Sequence, residues 1–289
     1  MRFGIGTPVV IQVPNGHARW EESAGIDELD VIARAADRLG FYHLTCSEHV
    51  AVPDTVEPVR GATYWDPLAT FGYMAAITSR IRFVTNVLVL GYHHPLAIAK
   101  RYGTLDVVSR GRLVLGLGVG SLEEEFDLLN APFDGRGERA DDAIGALRAS
   151  LGRRMPSYQG SHYSYRDFIV DPHSVQQKIP FWIGGRTRRS LRRAVTLAEG
   201  WMPFALGYSE VAALLGDFEL PPGFEVVLPL ASAVDPSGDP DGSRAEVDAA
   251  AAAGATLVNV RPLSRSPAHF LEQIEAFTTV VGMNQADAG

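Results

Sequence analysis

The chain alternates short, uniformly apolar runs with longer segments whose apolar residues recur every three or four positions. Residues 2–6 form the first run and 42–47 the second. The third, 81–90, is rich in β-branched side chains. Runs at 113–117, 180–183, 200–203, 225–230 and 256–260 bring the set to eight. Apolar runs without polar alternation predict strands buried on both faces, as in a parallel sheet. Helical patterns lie between them. In 26–39 the apolar positions Ile26, Leu29, Ile32, Ala33, Ala36 and Leu39 share a face, and Gly40 supplies the stop. Asp66-Pro67 predicts an N-cap and first turn for a helix reaching residue 78. Further helices are expected over 95–108, from near 121, and over 141–151, 187–198, 209–214, 244–253 and 267–279.

Eight strand–helix units with no solenoid-length repeat favour an α/β chain folded as a (β/α)8 TIM barrel over a doubly wound sheet, in one domain spanning 1–289. Residues 153–175 have no helical period and read as an insertion, built as a small hairpin. Segments 53–65 and 235–243 read as polar, proline-bearing loops, and 282–289 as a frayed tail. In such a barrel chemistry belongs at the C-terminal ends of the strands. Those ends carry Thr7, Glu48-His49, Asn86 to Leu90, Gly118 to Glu124, Gly184 to Thr187, Pro203-Phe204 and Arg261.

Composition narrows the class of protein. Hydrophobic residues make up 46% of the 289 positions and charged residues 21%, which excludes wholesale disorder. A single cysteine, Cys46, excludes an intrachain disulfide framework and a Cys-cluster zinc site. A net charge of −8 argues against general affinity for nucleic acid or an anionic membrane. No apolar run reaches the roughly 18 residues that a membrane-crossing helix needs. The first residues lack a small-residue cleavage site, so the expected location is cytoplasmic.

Several strand ends carry candidate chemistry. His49 is placed to donate or accept a proton near neutral pH, or else packs as an ordinary loop histidine. His93-His94 does not suggest a metal, because adjacent side chains diverge and no further ligand follows at suitable spacing. Gly116, Gly118 and Gly120 form GxGxG rather than the dinucleotide fingerprint GxGxxG. Their expected role is to let a flat ligand lie against the strand end. Gly184-Gly185-Arg186-Thr187 joins a strand to a helix, and a helix start of that kind suits a phosphate. Arg186, Arg188, Arg189, Arg192 and Arg193 surround it. On a helix Arg189 and Arg193 share one face, Arg188 and Arg192 another. Glu123-Glu124-Glu125 stabilises a helix start, or turns one carboxylate into the barrel mouth. Tyr64 and Trp65 either wall a pocket or cap the core.

Three blocks together resemble the luciferase-like monooxygenase superfamily. They are TSRIRFVTNVLVLGYHHPLAIAKRYGTLDVVSRGRLVLGLGVGSLEEEF (78–126), CSEHV (46–50) and IPFWIGGRTRRSLRRAVTLAEGWMP (179–203). The resemblance covers roughly residues 1–205 and is nearest to an actinobacterial branch of coenzyme F420-dependent oxidoreductases. It implies a barrel with an insertion and a deazaflavin or flavin in its mouth. His49 falls on the family's active-site histidine and Glu48 on its acidic neighbour, usually Asp. Asn86 and Val87 fall on a bulge that often holds a non-prolyl cis peptide. Gly184, Gly185, Arg186 and Thr187 fall on the phosphate-binding turn. Gly118, Gly120 and Glu124 fall on the cofactor-facing loop. Where the family's sugar-phosphate dehydrogenases carry a catalytic Glu, this chain has Ser121, so that activity is not expected.

The implied reaction is hydride transfer between coenzyme F420 and a small organic substrate, with no metal. FMN-dependent monooxygenation is the first alternative. A non-catalytic flavin or deazaflavin carrier is the second, and a barrel binding a phosphorylated metabolite the third. The resemblance also implies a homodimer. Substrate choice is expected to fall to loops 53–65 and 153–175, where Tyr64, Trp65, Tyr158 and Tyr163 lie, to Phe204, and to the barrel's C-terminal third.

Overall fold

In the computed structural model, which describes residues 1–14 and 16–283, eight parallel strands close into a barrel. They are β1 Arg2–Ile5, β2 His43–Cys46, β3 Arg82–Thr85, β4 Leu113–Gly118, β5 Phe181–Gly184, β6 Gly200–Met202, β7 Glu225–Pro229 and β8 Leu257–Val260. Neighbours follow chain order, and pairing of β5 with β4 and of β8 with β1 completes the ring. The helices around it are α1 Ile26–Leu39, α2 Pro67–Ile77, α3 Pro95–Val108, α4 Arg136–Ser150, α5 Arg188–Leu197, α6 Tyr208–Gly216, α7 Pro240–Ala252 and α8 Pro267–Val281. The barrel expectation holds.

Strand residues are buried on both faces because the helices cover the outside and side chains fill the inside. Val84, Val114, Trp182, Met202, Val227 and Leu257 form an inner cluster. A larger cluster lies between strands and helices, with Ile5, Leu44, Phe83, Leu115, Ile183 and Val258 on the strand side. His43 sits fully buried beside the inner cluster, with Nε2 2.7 Å from Asn259 Oδ1 and its ring 5.6 Å from Trp182. Burial pushes its imidazole down to about 4, because a charge is costly to hold away from water.

The helix stops and starts follow local chemistry. Gly40 ends α1 at φ 85°, a conformation that glycine adopts without steric cost. The Asp66 carboxylate accepts the Ala69 N–H at 2.9 Å and starts α2 at Pro67. Residues 153–175 contain the expected hairpin, Tyr158–Gln159 paired antiparallel with Ser164–Tyr165. The Asp142 carboxylate anchors it, accepting from the Tyr158 hydroxyl and from the N–H groups of Ser161, His162 and Tyr163.

Four boundaries differ from expectation. The 81–90 run is not one strand: it breaks at a cis Asn86–Val87 peptide and resumes at Leu88–Val89. Helix α4 begins at Arg136 rather than 141, because its first turn is polar and carries no apolar stripe. Helix α7 begins at Pro240, inside the expected 235–243 loop, where the Asp239 carboxylate accepts the Gly242 N–H at 2.9 Å. Segment 53–65 contains a short helix, Glu57–Arg60, and a strand, Thr63–Tyr64. That strand pairs antiparallel with Ile11–Gln12, in register Ile11↔Tyr64 and Gln12↔Thr63, forming a ribbon above the barrel. Gly61, at φ 73°, permits the approach: a Cβ there would lie 1.9 Å from the Gln12 carbonyl oxygen. Of the expected tail, residues 284–289 lie outside the described residues, and Gly282 closes α8 at φ 68°.

Candidate active site

A cavity of about 1230 Å³ opens at the C-terminal ends of the strands. His49, Asn86, Val87, Gly118, Gly120, Gly184, Gly185, Arg186 and Thr187 all line it. Glu48 and Glu124 do not: Glu48 is buried beneath the wall, and Glu124 is exposed on the short helix Glu123–Leu128. The ribbon supplies Ile11 and Tyr64, and the turn after β6 supplies Phe204 and Ala205. Trp65 packs against the core instead of lining the cavity, while Tyr64 lines it.

His49 is held from two sides. Its Nδ1 lies 2.7 Å from Glu125 Oε2, and its ring meets Tyr64 edge-on with centroids 4.5 Å apart. Nε2 has no hydrogen-bond partner among the described residues. The third glutamate of the acidic run, rather than Glu124, therefore partners the histidine. Burial pushes the Glu125 carboxyl up. The hydrogen bonds from His49, Tyr92 and the Val50 N–H outweigh it and hold the group below the usual carboxylate range. Burial, together with the hydrogen bond it gives Glu125, pushes the Tyr92 phenol well above its usual range.

The floor is the bulge in β3. The Ser47 hydroxyl donates to the Asn86 carbonyl at 2.7 Å, and the Asn86 N–H donates to the Cys46 carbonyl at 2.7 Å. Glu48 secures the far side, accepting the Val89 N–H at 2.7 Å and standing 2.6 Å from His93 Nε2. Glu48 thus holds the segment beneath the cavity. Val87 projects between β4 and β5: a Cβ at Gly118 would lie 2.4 Å from one of its methyls, and one at Gly184 would lie 2.6 Å from the other. At Gly118, which lines the cavity, the space that the absent side chain leaves is taken by the protein's own Val87.

The opposite end is cationic. The Thr187 hydroxyl accepts the Ser190 N–H at 3.2 Å, and the Ser190 hydroxyl accepts the Thr187 N–H at 3.1 Å, which starts α5 against the cavity. Arg189 and Arg193 line the cavity with Arg186, as their shared helix face requires. Arg188 turns away to pair with Asp217, and Arg192 is exposed outside the cavity. Arg193 is itself buried and paired with Asp141. Three more arginines line the cavity elsewhere. Arg60 donates to Ser121 Oγ at 3.2 Å, and Arg136 to the Gly120 carbonyl at 3.2 Å. Arg261 lies at the end of β8, its Nη2 3.6 Å from Glu21 Oε1. Among the described lining residues the acid is Glu138 alone.

No group of three or more His, Cys, Asp or Glu side chains converges as metal ligands among the described residues. The His94 ring caps α3, accepting the Leu96 N–H at 3.2 Å, while His93 faces Glu48. Among the same residues no helix is long and apolar enough to cross a membrane.

The cavity at the strand ends of this α/β barrel thus combines a strand-end histidine with a cationic helix start. The chain belongs to the luciferase-like monooxygenase family, whose model matches residues 1–219. An uncharacterized protein of Mycobacterium tuberculosis is 29% identical over 183 residues, covering 59% of this chain and 63% of the relative. A flavin-dependent trigonelline monooxygenase oxygenase component of Acinetobacter baylyi is 26% identical over 197 residues, covering 66% and 52%. An F420-dependent glucose-6-phosphate dehydrogenase of Microbacterium testaceum is 30% identical over 192 residues, covering 65% and 55%. The matches to these three thus span less than two thirds of the relatives' lengths. Among solved structures, the monooxygenase RslO1 from Streptomyces bottropensis superposes with a TM-score of 0.80 at 20% identity, covering 97% and 98% of the two chains. The coenzyme F420-dependent tetrahydromethanopterin reductase from Methanopyrus kandleri gives 0.74 at 16%, covering 94% and 96%.

Proposed function

We propose that the protein is a coenzyme F420-dependent oxidoreductase acting on a small organic substrate. The observation that carries this reading is the charge of the cavity. A chain of net charge −8 lines one cavity with six arginines and one carboxylate, Glu138; Asp141 and Glu21 pair with Arg193 and Arg261, and Arg60, Arg136, Arg186 and Arg189 have no carboxylate partner among the described residues. That excess suits a polyanionic cofactor better than one bearing a single phosphate. Similarity to an F420-dependent dehydrogenase supports it.

The residues fit such a group. The start of α5 with Arg186, Thr187 and Arg189 would hold its phosphate, and Arg136 lies within the same cavity for further anionic groups. Asn86 and Val87 would support the ring from below, on a floor fixed by Ser47 and Glu48. When bound, a deazaflavin supplies two-electron hydride transfer without oxygen activation. The chain's part is to bind, orient and move a proton. His49 Nε2, without a partner among the described residues and on a cavity-lining residue, would carry that proton.

The test is a titration of purified protein with oxidised coenzyme F420 and with FMN at two salt concentrations. The expected result is tight, salt-sensitive F420 binding and weak FMN binding. Arg189→Ala should weaken it about tenfold, the order of one charge-assisted hydrogen bond. Arg192→Ala should leave it unchanged. Preference for FMN would favour a flavin monooxygenase, which the similarity to the Acinetobacter enzyme supports. Binding of neither would overturn both readings.

A further inference from the structure

All four hydrogen bonds at Glu125 run toward it. Oε2 accepts from His49 Nδ1 and from the Tyr92 hydroxyl, each at 2.7 Å. Oε1 accepts from the Val50 N–H at 2.5 Å and from the Ala51 N–H at 3.3 Å. The side chain is fully buried and does not line the cavity. An ionised carboxylate accepts and cannot donate, so the imidazole nitrogen that faces it carries hydrogen. The other nitrogen is then the one available in the cavity.

We propose that Glu125 is the positioning residue for His49, fixing its imidazole as the Nδ1–H tautomer so that Nε2 exchanges the proton with the bound reactants. This rests on the reading of His49 as the proton-transfer group, and Glu125 acts through it alone. Tyr92 completes the arrangement. Its hydroxyl hydrogen is committed to Glu125, so toward the cavity the oxygen can only accept.

The two oxygens of Glu125 face partners of different kinds, and this makes the proposal testable. The Val50 and Ala51 N–H groups are backbone donors and cannot become acceptors. The Tyr92 hydroxyl can rotate, and a neutral imidazole can move its hydrogen between nitrogens. In Glu125→Gln the amide oxygen therefore stays with the backbone pair, and the NH2 group faces His49 and Tyr92. Nδ1 must then accept, and the hydrogen moves to Nε2.

The experiment is nitrogen-15 NMR of the His49 ring, in protein free of cofactor, at a pH where the ring is neutral. In the wild-type protein Nδ1 should be the protonated, pyrrole-type nitrogen and Nε2 the pyridine-type one. In Glu125→Gln the two should exchange character. Turnover should fall roughly 10²–10⁴-fold, the scale of a lost general acid or base, with cofactor affinity unchanged. Tyr92→Phe, which spares the backbone bonds, should keep the Nδ1–H tautomer and provides the comparison if the first variant does not fold. A wild-type ring protonated at Nε2 overturns the proposal. So does Glu125→Gln with the Nδ1–H tautomer intact, or Tyr92→Phe with the hydrogen moved to Nε2. Because the spectra need no cofactor, failure to bind F420 would count against the proposed function and leave this inference standing.

Discussion

At the scale of single residues, His49 has Nδ1 bonded to Glu125 and Nε2 without a partner among the described residues. His49→Ala should lower turnover about 10²–10⁴-fold while leaving cofactor affinity near the wild-type value. Steady-state kinetics beside a binding titration separates the two, and full turnover in the variant would remove His49 from the chemistry. The histidine was legible in the sequence because it follows a buried strand. Its partner was not, because Glu123, Glu124 and Glu125 are identical side chains on a helix of only six residues, too short for a period to show. A signal was present all the same. Leu122 and Phe126 are buried, and Glu125 lies three residues past the first and beside the second, on the same side of the turn. Glu124, two past Leu122, falls on the exposed side. Helical phase relative to the flanking apolar pair selects the third glutamate.

At the scale of elements, three neighbouring strands are locked by Val87. Its two methyls occupy the space that side chains at Gly118 on β4 and Gly184 on β5 would need. Gly184→Ala and Gly118→Ala should each cost about 1–3 kcal/mol, the usual penalty for overpacking. A thermal melt should give a lower Tm by several degrees. Adding Val87→Ala to Gly184→Ala should recover part of the loss, so that the double variant is more stable than the sum of the singles requires. Independent additivity would show that Val87 does not fill that space. Strand order and most helices were readable because apolar residues recur with clear periods. The misread boundaries share a cause: chemistry that leaves no period. The break after Thr85 falls at Asn86, inside a run whose β-branched residues continue on both sides, and only family resemblance pointed to it. The starts of α4 and α7 lie in polar, glycine-bearing turns that look like loop. The Asp239-Pro240 pair repeats the Asp66-Pro67 signal that marked α2 correctly.

At the scale of the whole molecule, stability should fall in acid through two successive windows. His43 titrates near 6.5 when unfolded and about 4 when folded. Between those values the unfolded chain takes up a proton that the folded one refuses, so stability drops by about 3 kcal/mol as pH falls from 6.5 to 4. Glu125 acts lower down. Its folded carboxyl lies below its ordinary value of 4.5, so its contribution is present above that pH and is lost as pH falls through the folded value. Urea unfolding at pH 7 and pH 4.5 checks the first window. A denaturation midpoint that does not change between them would mean that His43 takes up its proton in the folded barrel.

The ribbon above the mouth couples parts of the chain that are distant in sequence. Residues 11–12 and 63–64 are joined by strand pairing, and the Trp65 N–H adds a hydrogen bond to the Val10 carbonyl at 3.0 Å. Two loops that look independently variable are thus a single mechanical part, and a change of length in one shifts the register of the other. Grafting the 53–65 segment from a relative, or selecting insertions there, should succeed only when 8–14 is exchanged with it. The ribbon side of the cavity is inherited as a pair, and diversification of this chain should proceed by side-chain replacement on the ribbon faces rather than by lengthening either loop.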